Sequence, residues 1–137
     1  MIVAVTEDFD ACMAIRQRVF VEEQNVPPEL EHDEYDATAV HLLARDADGR
    51  AVGTARLLID GAAAKIGRVA VVAEARGTGA GLALMRAALA ELRHRGVAVA
   101  RLDRDHPAWP PHETIPFRNA PYAVWHAADA PRPESSP

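Results

Sequence analysis

The sequence predicts an α/β domain of the α+β kind, a mixed and mostly antiparallel sheet flanked by helices, and three observations carry that prediction. Apolar or β-branched runs of four to eight residues recur at 2–5, 40–44, 52–59 and 65–72, the lengths and composition of strands. Two stretches, about 7–23 and 78–95, instead repeat their apolar residues at three- and four-residue spacing, the period of an amphipathic helix. The second helix lies between two strands, and that order implies a parallel crossover in a sheet whose other neighbours are joined by tight turns.

Taken in order, residues 2–5 make a first strand. Thr6 follows as an N-cap, and Glu7 and Asp8 suit the positive end of the helix that begins there. Cys12, Ile15 and Val19 form its buried stripe, and Pro27-Pro28 bars its continuation because proline lacks an amide donor and clashes with the preceding turn. Residues 29–36, Glu-Leu-Glu-His-Asp-Glu-Tyr-Asp, are acidic and aperiodic, and are expected to be a solvated loop. Asp33 and Asp36 in it lack the spacing of a calcium loop.

Residues 40–44 are the next strand. Asp46-Ala47-Asp48-Gly49 turns the chain, with glycine where positive φ is needed, into a partner strand at 52–59. Asp60-Gly61 turns it again into a strand at 65–72. In the following helix Leu82, Met85, Leu89 and Leu92 form the apolar stripe, Arg93, His94 and Arg95 favour the negative end, and Gly96 stops it. Residues 97–102 read as one more strand. Eight of the ten prolines then fall between Pro107 and Pro137, so residues 103–137 are expected to be a Pro-rich, irregular segment after a folded unit at 1–102.

Bulk properties exclude several function classes. A length of 137 residues suits one domain, and 49% apolar with 26% charged residues is a globular, water-soluble composition. A net charge of −5 argues against nucleic acid, and requires any phosphate-containing ligand to be held by local geometry. Cys12 stands alone, which forbids an internal disulfide and suits a reducing compartment. No basic leader and no apolar span of about 18 residues is present, so the expectation is a cytoplasmic protein without a membrane partner. The six histidines are scattered, and no metal is expected.

One segment carries chemistry: Arg68-Val69-Ala70-Val71-Val72-Ala73-Glu74-Ala75-Arg76-Gly77-Thr78-Gly79-Ala80-Gly81, a strand that runs through a glycine-rich turn into a helix. A helix N-terminus has four unpaired amides and a partial positive charge, so it captures phosphate without a basic composition. Gly77, Gly79 and Gly81 carry no Cβ to keep a pyrophosphate from the backbone, and Arg76 adds a charge beside them. A dinucleotide fingerprint would open the domain and precede an acidic residue about 20 positions on, and a P-loop would need Gly-Lys-Ser/Thr; neither is met.

Arg76-Gly77-Thr78-Gly79-Ala80-Gly81 resembles the Arg/Gln-x-x-Gly-x-Gly/Ala signature of the GNAT superfamily of N-acetyltransferases. Arg16-Gln17-Arg18-Val19-Phe20-Val21-Glu22-Glu23-Gln24, the acidic residues 31–36, Gly53-Thr54-Ala55-Arg56-Leu57 and Lys65-Ile66-Gly67-Arg68-Val69-Ala70-Val71 resemble its small bacterial ElaA-like subgroup, over about residues 1–102. The resemblance implies acetyl-CoA as co-substrate and a primary amine of a small molecule or a peptide as acceptor, with a homodimer as a further expectation.

By that resemblance the backbone of Val69, Ala70 and Val71 pairs with the pantetheine arm, and the amides of Arg76, Gly77, Thr78, Gly79, Ala80 and Gly81 hold the pyrophosphate. A backbone N–H near Val71 stabilises the oxyanion, an effect worth about 10²- to 10³-fold. Glu23 is the candidate catalytic base, acting through water, with Glu22 beside it; where some relatives carry an acid on the strand, this sequence has Arg68. The family's later helix with a thiolate-protonating tyrosine, and its final strands, are missing from the pattern, and Tyr122 lies in a context that does not match. A general acid contributes about 10²- to 10⁴-fold. Two alternatives therefore stand beside catalysis: a non-catalytic CoA-binding module and a degenerate, truncated acetyltransferase.

Overall fold

The computed structural model describes residues 1–102 and 124–126. Its sheet holds six strands in the order β1 (Ile2–Thr6), β2 (Val40–Arg45), β3 (Ala51–Asp60), β4 (Ala63–Val71), β5 (Val99–Leu102) and β6 (Val124–His126). Every neighbouring pair is antiparallel except β4 and β5, which are parallel and joined through the helix α3 (Ala80–His94). This is the mixed, mostly antiparallel sheet that the hairpin turns and the one crossover predict. Asp46 closes the β2–β3 turn: its carboxylate accepts from the amides of Asp48 and Arg50 at 2.9 and 3.0 Å, and Gly49 supplies φ +82°.

The two main helices cover opposite faces of the sheet. Gly53 approaches α3 so closely that a Cβ there would lie 2.8 Å from Leu84 Cδ1, whereas the next residue, Thr54, donates at 2.8 Å to the Leu42 carbonyl, which also accepts from the Cys12 thiol of α1 (Phe9–Arg16). Consecutive strand residues point to opposite faces. With both faces covered, β2, β3 and β4 are buried almost continuously, which explains why they read as unbroken apolar runs rather than as alternating ones.

The structure corrects several local expectations. Asp8, not Thr6, caps α1: its carboxylate accepts from the Ala11 amide at 3.1 Å, while Thr6 Oγ1 accepts from the Asp8 amide at 3.0 Å. Beyond Arg16 the helix widens into a π-helical turn over Gln17–Glu23, which carries Val19 and Phe20 into the core and ends where Asn25 takes φ +58°. Residues 29–36 are not a solvated loop. They form α2 (Pro28–Glu31), with Pro28 pre-set in the first turn, and a 3₁₀ turn over Glu34–Ala37 closed by an Asp33 capping box.

In α3, Met85, Leu89 and Leu92 are buried as expected, but Leu82 is 53% exposed. The inward row instead starts from Ala80 and runs through Leu84 and Ala88, and the Leu84 side chain lies over Gly53, where the sheet offers no Cβ. At the far edge, Val124–His126, placed by the sequence in the irregular segment, pairs antiparallel with β5, Ala100 opposite Trp125. A three-residue run is too short to display a period, so only its pairing with β5 reveals it as a strand.

Candidate functional site

The site is built along the second half of β4. β4 pairs with β5 only from Ala63 opposite Val99 to Ile66 opposite Leu102. Beyond Ile66 its partner is β3 alone among the described residues, with Gly67 opposite Arg56, Ala70 opposite Thr54 and Val71 opposite Gly53. Among the described residues, one backbone edge of residues 67–71 has no strand on it. The side chains of Val69, Ala70 and Val71 are buried at 3%, 2% and 5% exposure, so these residues present backbone and not side chain to a ligand.

The chain then passes a 3₁₀ turn at Ala73–Ala75 and enters the glycine turn. Gly77 and Gly79 have φ of +82° and +91°, and a Cβ at either would meet nothing within 4 Å, so the concave side of the turn is open. Gly79 is the N-cap of α3 and no side chain caps the helix, which leaves the first-turn amides directed out of the helix end without an intrahelical partner. Ala80 is buried and offers only its amide. Thr78 Oγ1 donates to the Ala75 carbonyl and fastens the turn. The open edge of β4 and the amides of the turn thus follow one another along the chain, at the end of a parallel strand where α/β folds hold phosphate-containing ligands.

Arg76 joins this turn to the helix that precedes α2. Its Nε donates to the Val71 carbonyl at 3.1 Å, and its two terminal nitrogens donate to the Glu23 carboxylate at 2.6 and 3.0 Å. The two residues singled out for different duties, phosphate binding and proton transfer, are therefore ion-paired. Glu22 is exposed beside them. Arg18 anchors the same helical turn to the other end of the loop, one of its terminal nitrogens donating to both carboxylate oxygens of Glu74 at 2.7 and 2.9 Å. Tyr122 lies outside the described residues.

The sequence missed a buried cluster of three arginines and three carboxylates on the α1 side. Arg16 pairs with Glu31 and, at 2.8 and 3.1 Å, with Asp36. Arg56 donates to Asp33 at 2.6 and 2.9 Å and to Asp36 at 2.9 Å. Arg68 donates from Nε to the Glu31 carbonyl and from a terminal nitrogen to Asp33, both at 3.2 Å. Burial by itself would raise the Asp36 carboxyl, but the hydrogen bonds and charges of Arg16 and Arg56 outweigh it and hold Asp36 well below the usual carboxylate range. Asp33 is lowered by the same balance against Arg56 and Arg68. Desolvation, then the nearby charges of Arg56 and Arg16, pull Arg68 below the usual arginine value.

A sequence signal for this cluster existed. Arg16 sits four residues after Cys12 on the buried stripe, and Arg56 and Arg68 interrupt apolar strands. A buried guanidinium requires a carboxylate partner, and residues 31–36 are the densest run of carboxylates in the sequence. Asp33 and Asp36 are thus engaged in ion pairs rather than free to attract a cation. Among the described residues no group of three or more His, Cys, Asp or Glu is placed to hold a metal, and no helix is long and apolar enough to cross a membrane.

Comparison with known proteins agrees with this architecture. An acetyltransferase of Bacillus subtilis (strain 168) is 31% identical over 117 residues, 83% of this chain and 79% of the relative. The crystal structure of Escherichia coli ElaA superposes with a TM-score of 0.62 at 29% identity, covering 75% of this chain and 73% of its own. A GNAT family acetyltransferase from Brucella melitensis, solved in complex with acetyl-CoA, has the same fold at a TM-score of 0.66 and 21% identity, over 91% of this chain and 86% of its own. The model of the acetyltransferase (GNAT) family matches residues 9–114, the span that contains β4, the glycine turn and α3, and the chain belongs to that family.

Proposed function

We propose that this protein transfers the acetyl group of acetyl-CoA to a primary amine of a small molecule or a peptide. The observation that carries the proposal is the continuity of β4, whose edge at residues 67–71 bears no strand among the described residues, with the uncapped amides of α3, reached through Gly77 and Gly79. An extended, amide-rich arm pairs with a strand edge, and a pyrophosphate suits a helix N-terminus. Acetyl-CoA fits both, and it supplies an acyl group already activated as a thioester.

The chain's own part is binding, orientation and charge. The backbone of Val69, Ala70 and Val71 receives the pantetheine arm, and the amides of Arg76, Gly77, Thr78, Gly79, Ala80 and Gly81 receive the pyrophosphate. An amide at the end of β4, near Val71, donates to the thioester carbonyl oxygen as negative charge develops there when the amine attacks, a contribution of about 10²- to 10³-fold. The thiolate departs and the amine loses its proton. Glu23 is the candidate to receive that proton through water, because its carboxylate is carried on the same guanidinium that bonds the Val71 carbonyl. Holding both reactants in register supplies much of the remaining acceleration.

Thermal unfolding with and without acetyl-CoA, followed by thiol release against a panel of amines, tests the proposal. Acetyl-CoA at a hundredfold excess over its dissociation constant stabilises the native state by about 2.7 kcal/mol. An upward shift with amine-dependent thiol release supports the transferase. A shift without turnover leaves a CoA-binding module, and no shift overturns the site.

A further inference from the structure

Leu82 lies outside the buried row of α3 and is 53% exposed, the one large apolar side chain after Ile59 left exposed among the described residues. Scattered exposed apolar side chains are ordinary, so its place matters more than its exposure. It stands three residues after Gly79, the N-cap, beside the open side of the glycine turn. Arg86 follows four residues on, one helical turn away on the same face, and is exposed as well. From Gly77 to Ala90 it is the only charged residue. Arg76 is held by Glu23 and Arg95 by Glu91, whereas no described residue forms an ion pair or hydrogen bond with the Arg86 guanidinium.

A pyrophosphate on the first-turn amides of α3 carries two substituents. The pantetheine arm follows β4, so the adenosine with its 3′-phosphate leaves over a part of α3 that the sheet does not cover. The row of Ala80, Leu84 and Ala88 is buried, and Leu82 and Arg86 make up the exposed face next to the turn. A helical side chain leans toward the N-terminus and covers the turn before its own Cα, which carries the Arg86 guanidinium back over Leu82, along a helix segment that rises about 10 Å from Gly79. In a protein of net charge −5, a phosphate is attracted only where a local cation is unpaired. We propose that Leu82 and Arg86 form the site of the coenzyme's adenosine 3′-phosphate: the Leu82 side chain bears on the adenine face, the Arg86 guanidinium pairs with the 3′-phosphate, and the pair selects acetyl-CoA over a coenzyme that lacks this phosphate. The inference rests on the proposal that the glycine turn holds the pyrophosphate.

Acetyl-CoA and acetyl-3′-dephospho-CoA differ only in that phosphate, and calorimetric affinities of the full-length protein for both test the assignment. The unmodified protein is expected to bind acetyl-CoA about fivefold more tightly than the dephospho form. Arg86→Ala is expected to weaken acetyl-CoA by about the same factor and to leave the dephospho form within about twofold, so that the preference disappears, while Arg86→Lys keeps part of it. Leu82→Ala removes apolar surface that both coenzymes would touch and is expected to weaken both about threefold. Both side chains are exposed, so the melting temperatures of the unliganded variants should match that of the unmodified protein. No preference in the unmodified protein, a preference that survives Arg86→Ala, or an equal loss of both coenzymes in Arg86→Ala overturns the role of Arg86. Undiminished binding by Leu82→Ala overturns that of Leu82. Failure of the unmodified protein to bind either coenzyme overturns the pyrophosphate site itself, and the inference with it.

Discussion

Glu23 and Arg76 form a bidentate ion pair, 2.6 and 3.0 Å, that bridges the end of the π-helical turn and the start of the glycine turn. Both side chains remain about half exposed, at 36% and 46%. Such a pair is held weakly, so a pyrophosphate arriving at the turn competes with Glu23 for the same guanidinium. Glu23→Gln is accordingly expected to tighten acetyl-CoA binding by about two- to fivefold, the range that an exposed pair permits, while lowering turnover if the carboxylate takes the amine proton. Affinity by calorimetry and turnover by thiol release would move in opposite directions; a parallel fall in both would show that Glu23 only supports Arg76.

Gly79 offers a graded test of the turn. Its φ of +91° strains any side chain, but a Cβ meets nothing within 4 Å. Gly79→Ala should therefore cost about 1–2 kcal/mol of stability from backbone strain alone. Gly79→Glu adds a carboxylate beside the phosphate position and should abolish the thermal shift on adding acetyl-CoA. Melting curves of both variants with and without acetyl-CoA distinguish loss of fold from loss of binding.

The buried cluster predicts acid sensitivity. Asp36 is held below its ordinary value of 3.8, so near that pH the unfolded chain binds a proton that the folded one refuses. The stability contributed by Asp36 is complete well above pH 3.8 and is lost as the pH falls through that value towards the folded-state pKa. The wild-type melting temperature should drop between about pH 5 and pH 3 more steeply than that of Asp36→Asn. At neutral pH the same substitution should cost about 3–5 kcal/mol, because it leaves Arg16 and Arg56 buried with a partner charge removed.

Arg16 offers a complementary case on the α1 side. Arg16→Met removes a side chain that is 1% exposed and strands Asp36 and Glu31 with fewer cationic partners. A loss of about 3–5 kcal/mol in denaturant unfolding is expected, and Arg16→Met combined with Asp36→Leu should recover part of it, since replacing a whole buried pair costs less than breaking it. A double variant no more stable than Arg16→Met would assign the stabilising role of Arg16 to Glu31 instead.

Which features the sequence displayed follows from how locally each is encoded. Three glycines in a six-residue turn between a strand and a helix are a local requirement for positive φ and close approach, so the phosphate-binding turn and α3 could be read directly from 76–95. The stripe of Cys12, Ile15 and Val19 and the turn at Asp46-Ala47-Asp48-Gly49 are equally local. Residues 29–36 were misread because an acidic, aperiodic run has the same composition whether it is solvated or folded onto buried arginines that lie 15 to 37 positions away.

By itself, then, the sequence determined the order of the first five strands and the two main helices, the single parallel crossover, the glycine turn and the family to which these belong, since periodicity and turn chemistry act over a few residues. Tertiary structure alone decided that Arg16, Arg56 and Arg68 are buried against Glu31, Asp33 and Asp36, and that Glu23 meets Arg76 across 53 positions of chain. Those are contacts between distant segments. Their strength depends on burial and on the partner brought opposite, and neither exists until the sheet is assembled.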